Sequence, residues 1–164
     1  MEATNRGRYN KVWKHASAQE PHIWPSWEIV KDSQGKRCLE IGCGNYPKLP
    51  LEDGFFLDLS EVAASNLRAR GLTACVGSAE NLPFADNRFD LTVAWEVLEH
   101  IDDHEKAFSE IARVLKKRGA LLLSVPLDQD RFSQLDAVAG HKRRYEPQEL
   151  ARILKKSSLS VVKF

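Results

Sequence analysis

Leu39-Glu40-Ile41-Gly42-Cys43-Gly44-Asn45 puts two glycines directly behind a short apolar run. The run reads as a buried strand. The glycines read as the turn that leaves it, where the backbone needs unusual dihedrals and a ligand can approach the main chain without meeting a side chain. Two readings stand side by side for this segment: a nucleotide-cofactor turn, or a tight strand-to-loop turn that binds nothing. A dinucleotide fingerprint would require glycine at position 47, and Pro47 stands there, so the pyrophosphate version fails at its third glycine.

Outward from this turn, Cys38–Ile41, Phe55–Leu57, Thr73–Val76, Leu91–Trp95 and Ala120–Val125 are short apolar runs that alternate with amphipathic stretches. That alternation predicts a parallel α/β layer architecture. Ser60 is placed to cap a helix that Gly71 stops, and Asp102 with Glu105 makes a capping-box-like start for a second helix closed by Gly119. Pro147 is placed at a favoured first helical position, with Leu150, Ile153 and Leu154 facing inward before a last strand near Val161-Val162. Residues 1–36 carry Tyr9, Trp13, Trp24 and Trp27 among polar residues and predict two short helices added to a domain over 37–164. Asp58 closes the second run, beside the first turn in a parallel sheet. There a carboxylate either accepts both hydroxyls of a ribose or supplies charge at the helix N-terminus behind Ser60.

The chain has 164 residues, 43% of them hydrophobic, enough for one core of ordinary size. A formal charge of +1 gives no global field toward nucleic acid or membrane. No apolar run approaches the roughly 20 residues of a membrane span, and no signal-peptide stretch opens the sequence, so the expected compartment is the cytoplasm. Cys38, Cys43 and Cys75 lack the paired spacing of a zinc site, and neither a disulfide framework nor a structural metal is expected.

Five segments in order carry a family resemblance: Glu40-Ile-Gly-Cys-Gly, Leu57-Asp-Leu-Ser, Gly77-Ser-Ala-Glu-Asn-Leu-Pro-Phe, Val97-Leu-Glu-His-Ile and Gly119-Ala-Leu-Leu-Leu-Ser-Val-Pro. Over about Arg37 to Lys156 the chain resembles class I S-adenosylmethionine-dependent methyltransferases, closest to the small-molecule, type 11-like domain. The resemblance implies a Rossmann-like, mostly parallel sheet flanked by helices, and S-adenosyl-L-methionine as cofactor, converted to S-adenosyl-L-homocysteine. Carried over by position, it implies that Glu40, Gly42, Cys43 and Gly44 lie at the methionine end and that Asp58 and Leu59 lie at the ribose. Ser78, Ala79, Glu80 and Leu82 then border the adenine, and Trp95, Glu96 and Val97 close the pocket.

Three departures from the family stand out. The stretch Asn45–Asp53 carries two prolines where a longer crossover helix is usual, which predicts a short loop or single turn around Tyr46 and a sheet face thinly covered unless the N-terminal aromatics or a partner chain pack over it. Ser78 replaces a common aspartate, a weaker acceptor for an adenine amine. The last sheet strand of the family has no sequence here, which predicts either a piece of a longer protein or an exposed sheet edge covered by a second copy in a homodimer.

Direct displacement at a sulfonium methyl needs alignment and exclusion of water, with a base only for some acceptors. His100 follows the fourth strand as a candidate for that chemistry or as a loop anchor. Gly140-His-Lys-Arg-Arg-Tyr-Glu-Pro offers His141 and Tyr145 for catalysis and Arg143 and Arg144 for gripping an acceptor, or else a surface run with Tyr145 as a staple. Tyr9 and Trp13 are candidate lid residues over a small-molecule acceptor. Two rivals remain. A nucleic-acid methyltransferase would use the basic end of the chain but lacks the Pro-Pro-aromatic motif after Trp95. A non-catalytic module of the same fold would explain the departures.

Overall fold

The computed structural model describes residues 2–14, 26–33, 35–50, 52 and 54–163. Its five strands are β1 (Cys38–Ile41), β2 (Gly54–Asp58), β3 (Thr73–Val76), β4 (Phe89–Trp95) and β5 (Leu115–Ser124). They lie in the order β3-β2-β1-β4-β5, and every neighbouring pair is parallel. The helices are α1 (Glu2–Trp13), α2 (Trp27–Val30), α3 (Glu61–Ala69), α4 (His104–Val114), α5 (Gln134–Ala139) and α6 (Pro147–Lys156). This is the parallel α/β sandwich expected from the alternating runs. Trp24 lies outside the described residues.

Strand order reverses between β1 and β4. At such a point the connections leave in opposite directions and open a crevice at the carboxyl ends of the strands. One sheet face is covered by α4 and α6: Phe108, Ile111 and Val114 pack with Leu150, Ile153, Leu154 and the strand residues Leu39, Ile41 and Leu57. The other face is covered by Leu67 of α3, Val30 and Trp27 of α2, and Leu49, against Cys38, Phe56, Leu91 and Val93. The thin cover expected over this face is thus made good by α2 and by Leu49, itself fully buried.

Helix starts follow the sequence closely. Ser60 Oγ accepts from the Ala63 amide at 3.2 Å, and Pro147 occupies the first turn of α6. Three boundaries differ. The α4 cap is Asp103, not Asp102: Asp103 accepts from the Lys106 amide at 3.0 Å, and its own amide donates at 2.8 Å to Glu80 rather than closing a box with Glu105. A carboxylate from a distant loop has taken the role that local spacing assigned to Glu105.

The same helix ends at Val114, well before Gly119, and β5 begins at once. Leu115 pairs with Phe89, but the next partner of β4 is Ala120, so Lys116–Gly119 bulge out with Arg118 at φ 69°. Residues 159–163 form no strand. Ser158, at φ 61°, turns the chain, the Leu159 amide donates back to Leu154 at 2.9 Å, and Val162 is 94% exposed. That leaves β5 at the edge of the described sheet. Nothing among the described residues favours a second copy there.

Among the described residues the connection from β1 to β2 holds no helix, as its prolines predict. Unpaired backbone amides in a buried loop need acceptors. Glu40 supplies them: its Oε2 accepts from the amides of Lys48 at 2.8 Å and Leu49 at 3.0 Å. A carboxylate does here part of what a crossover helix would do for itself.

Candidate cofactor site at the switch point

A cavity of about 410 Å³ opens at the carboxyl ends of β1 to β4, within the range of small-molecule sites. Its floor is Ile41, Gly42 and Leu57, with Gly77, Ser78, Ala79 and Glu80 along one side and Glu96, Val97, His100, Ile101 and Asp102 along the other. Asp58 and Leu59 stand at the β2 end, and Asn5, Tyr9 and Trp13 of α1 form the roof.

Each part has a local cause. Gly42 sits at φ 71°, and a Cβ there would meet Val97 Cγ2 at 2.4 Å, so only glycine brings the turn against the β4 loop. At Gly44, φ 54°, a Cβ would meet the Trp13 ring at 2.3 Å. The roof therefore rests directly on the glycine turn. Asp58 Oδ2 accepts from the Gly44 amide and Oδ1 from the Ser60 amide, both at 2.8 Å, which fixes the carboxylate plane and leaves each oxygen a further lone pair. Burial raises the Asp58 pKa, opposed by the two amides.

Helix α1 is polar and is held by pinned contacts rather than by an apolar stripe. Asn10 Oδ1 accepts from Ser60 Oγ at 2.7 Å and the Val62 amide at 3.4 Å, Asn45 donates to Trp13 O at 3.1 Å, and Arg8 donates to Val138 O. Trp13 meets Tyr46 edge to face at 5.4 Å, and Tyr9 meets His100 at 6.0 Å. Burial raises the Tyr9 hydroxyl pKa. With so few apolar contacts, α1 belongs to the low-stability end of the molecule. Asn10→Ala is expected to raise hydrogen exchange across residues 5–13 by about tenfold, the equivalent of one hydrogen bond, while β1 and β4 amides stay protected. Equal exchange in α1 and the sheet strands would rule out a separately opening roof.

Sequence-nominated residues divide between the cavity and its supports. Gly42, Asp58, Leu59, Ser78, Ala79, Glu80, Glu96, Val97, Tyr9, Trp13 and His100 line it. Glu40, Cys43, Gly44, Leu82 and Trp95 do not. Glu40 is buried beneath the turn with Oε1 unpartnered, Cys43 and Leu82 are core residues, Gly44 lies under Trp13, and Trp95 packs on the second core. Ser78 spends its hydroxyl on the Glu80 amide at 3.2 Å. Asn5 lines the cavity as well, and the signal for it is spacing: Asn5, Tyr9 and Trp13 are four apart and share one helix face.

The 140–146 run turns inward rather than over the cavity. Tyr145 is fully buried, its hydroxyl donates to Leu98 O at 3.2 Å and lies 3.0 Å from His104 Nδ1, and burial pushes it up to about 12. It is a staple under the 98–100 turn. Arg143 donates to the carbonyls of Ile101 and Asp102 at 2.7 and 3.1 Å, and Arg144 grips Asp136 through two nitrogens at 3.0 and 3.1 Å. Neither arginine lines the cavity. Tyr145→Phe should cost about 1 kcal/mol of stability in denaturant titration and change turnover by no more than a few-fold. A hundredfold loss of kcat with unchanged stability would return Tyr145 to the chemistry.

Glu99 is fully buried with neither carboxylate oxygen partnered, and burial, with the nearby Glu96 charge, pushes it up to about 8. His100 donates from Nδ1 to Gly140 O, 3.1 Å away, and burial lowers it to about 4, so it is neutral at pH 7.

A Gly-x-Gly turn, an acidic β2 end and a largely apolar cavity meet at the switch point, where parallel α/β sheets take nucleoside-containing cofactors such as S-adenosylmethionine. The residues fit that group: Asp58 has lone pairs left for a ribose diol, and the glycine turn keeps side chains out of the floor. The Methyltransferase domain family matches residues 39–123, about half of the chain, and the chain belongs to that family. Among curated relatives it is 27% identical over 126 residues to the ubiquinone/menaquinone biosynthesis C-methyltransferase UbiE of Desulfotalea psychrophila, covering 69% of this chain and 51% of that protein. It is 29% identical over 125 residues to a tRNA (carboxymethyluridine(34)-5-O)-methyltransferase of Arabidopsis thaliana, covering 71% of this chain and 31% of that one. A crystal structure of a Thermotoga maritima SAM-dependent methyltransferase superposes with a TM-score of 0.67 at 24% identity, over 94% of this chain and 76% of that one. The chain spans about half or less of the length of these two curated relatives.

Proposed function

We propose that this chain moves a methyl group from S-adenosyl-L-methionine to a small-molecule acceptor by direct displacement inside the roofed cavity. The observation that carries the reading is the juxtaposition of Asp58 with the Gly42–Gly44 turn beneath Tyr9 and Trp13. When bound, the cofactor supplies an electrophilic methyl group on a sulfonium. Asp58 holds the ribose, Ser78 to Glu80 border the adenine, and Tyr9 and Trp13 exclude water. Residues 1–36 act as lid to the 37–164 unit. His100, neutral and fixed through Nδ1 on Gly140 O, anchors the 98–101 turn in the cavity wall.

A small acceptor is favoured over a nucleic acid because the basic run is already engaged. Lys142 pairs with Asp102, Arg143 with backbone carbonyls and Arg144 with Asp136. No helix of the described residues is long and apolar enough to cross a membrane, and Cys38, Cys43 and Cys75 are free thiols, which suits a cytoplasmic setting.

Calorimetric titration with S-adenosylmethionine, S-adenosylhomocysteine and NAD tests the cofactor, and an acceptor panel tests turnover. Micromolar binding of the first two alone is expected. A folded sample that binds none of them, or binds NAD equally, would overturn the reading, and tight salt-dependent RNA binding would replace the acceptor class.

A further inference from the structure

We propose that Glu99, His100 and His141 form a site for a divalent transition cation of the Zn²⁺ or Mn²⁺ kind, set in the wall of the cavity on its acceptor side. One ligating atom from each of the three lies within 4.8 Å of the others, and this is the grouping of that kind among the described residues. Glu99 Oε1 is 3.8 Å from His141 Nε2, and the two imidazole rings meet at 4.7 Å, nearly perpendicular.

The wiring around the rings carries the argument. A neutral histidine ligates through one nitrogen, and a metal site fixes that choice by giving the other N–H an acceptor. His141 Nδ1 lies 2.9 Å from Asp136 Oδ1, a carboxylate kept ionised by Arg144, so this nitrogen donates. His100 Nδ1 faces Gly140 O, which can only accept, so this nitrogen donates as well. Both Nε2 atoms are left as lone-pair donors.

Opposite them, both oxygens of Glu99 are buried and unpartnered. A buried carboxyl group with no hydrogen-bond partner is costly, and a cation held between it and two imidazoles, releasing its proton, removes that cost. Two imidazoles and one carboxylate suit zinc-class ions and leave a coordination position open. Bonds of about 2.1 Å place tetrahedral ligand atoms about 3.4 Å apart, so the side chains need close by only about an ångström. Because His100 and Glu96 line the cavity, the open position would face an acceptor.

The test uses the full chain, stripped with chelator, titrated with ZnCl₂ and with MnCl₂ by calorimetry and followed by thermal melting. One equivalent is expected to bind. Glu99→Gln and His141→Ala should each weaken binding by at least about tenfold and abolish the cation-induced rise in Tm, while His104→Ala, outside the cluster, should not. Glu99→Gln replaces a buried carboxyl group with a neutral amide of the same shape and is expected to fold at least as well as the wild type without cation. If it does not fold, His141→Ala decides. Wild-type affinity in the variants, or no binding by the wild type, would overturn the site and leave Glu99 and His141 as packed neighbours. Neither readout needs the cofactor, so failure here is distinct from failure of the methyl-transfer reading.

Discussion

Asp58→Ala is expected to weaken binding of S-adenosylmethionine and S-adenosylhomocysteine by about a hundredfold or more in calorimetry, the largest loss of any single substitution in the cavity. Hydrogen bonds to a charged acceptor are worth about 1.5–3 kcal/mol each, and a ribose diol makes two. A second loss adds to this one. Asp58 also accepts from the amides of Gly44 and Ser60, so its removal leaves two buried donors unpaired and releases the glycine turn from the β2 end. Asp58→Asn separates the two effects, since its oxygen retains one amide contact and the fold is less disturbed. A variant that stays folded and binds the cofactor within twofold of wild type would remove Asp58 from the ribose.

Glu40 is expected to dominate a different measurement, the dependence of stability on pH. Burial pushes this carboxyl up to about 7, more than the Lys48 and Leu49 amides pull it down. In the unfolded chain it titrates near its ordinary value of 4.5. Between those two values the folded state holds a proton that the unfolded state has released, so stability falls as pH rises through the window and levels off above about 7. The loss is on the order of 3 kcal/mol at about 1.4 kcal/mol per pH unit. Denaturant titrations of wild type and Glu40→Gln between pH 4.5 and 8 isolate this group from Asp58 and Glu99, which burial also raises. The wild-type curve should slope downward relative to the variant. Parallel curves would show that Glu40 keeps its charge in the fold.

These two carboxylates show where sequence and structure part company. Asp58 was legible because its position at a strand end is local: an acidic residue closing an apolar run, one strand from a glycine turn, has few places to go. Glu40 was legible as part of a motif, yet its contacts are with Lys48 and Leu49, in the very stretch whose prolines exclude a helix. Only the folded chain shows that the carboxylate replaces the missing helix by accepting the loop's amides.

The sequence by itself determined the parallel order of alternating strands and helices, the glycine turn, the Ser60 cap and the Pro147 start. Each depends on residues within a few positions of one another and on backbone preferences that hold anywhere. Tertiary structure decided everything that rests on long-range partners. Glu80 reaches Asp103 and moves the start of α4, the β4–β5 register absorbs Lys116–Gly119 into a bulge, and Ser158 turns the last residues away from the sheet. It also settled the fate of the basic run. Lys142, Arg143, Arg144 and Tyr145 sit on a segment that looks solvent-facing in one dimension. In three, the charge of Asp136, the carbonyls of the 98–102 turn and the space beneath it draw these side chains inward, because buried acceptors must find donors wherever the fold brings them.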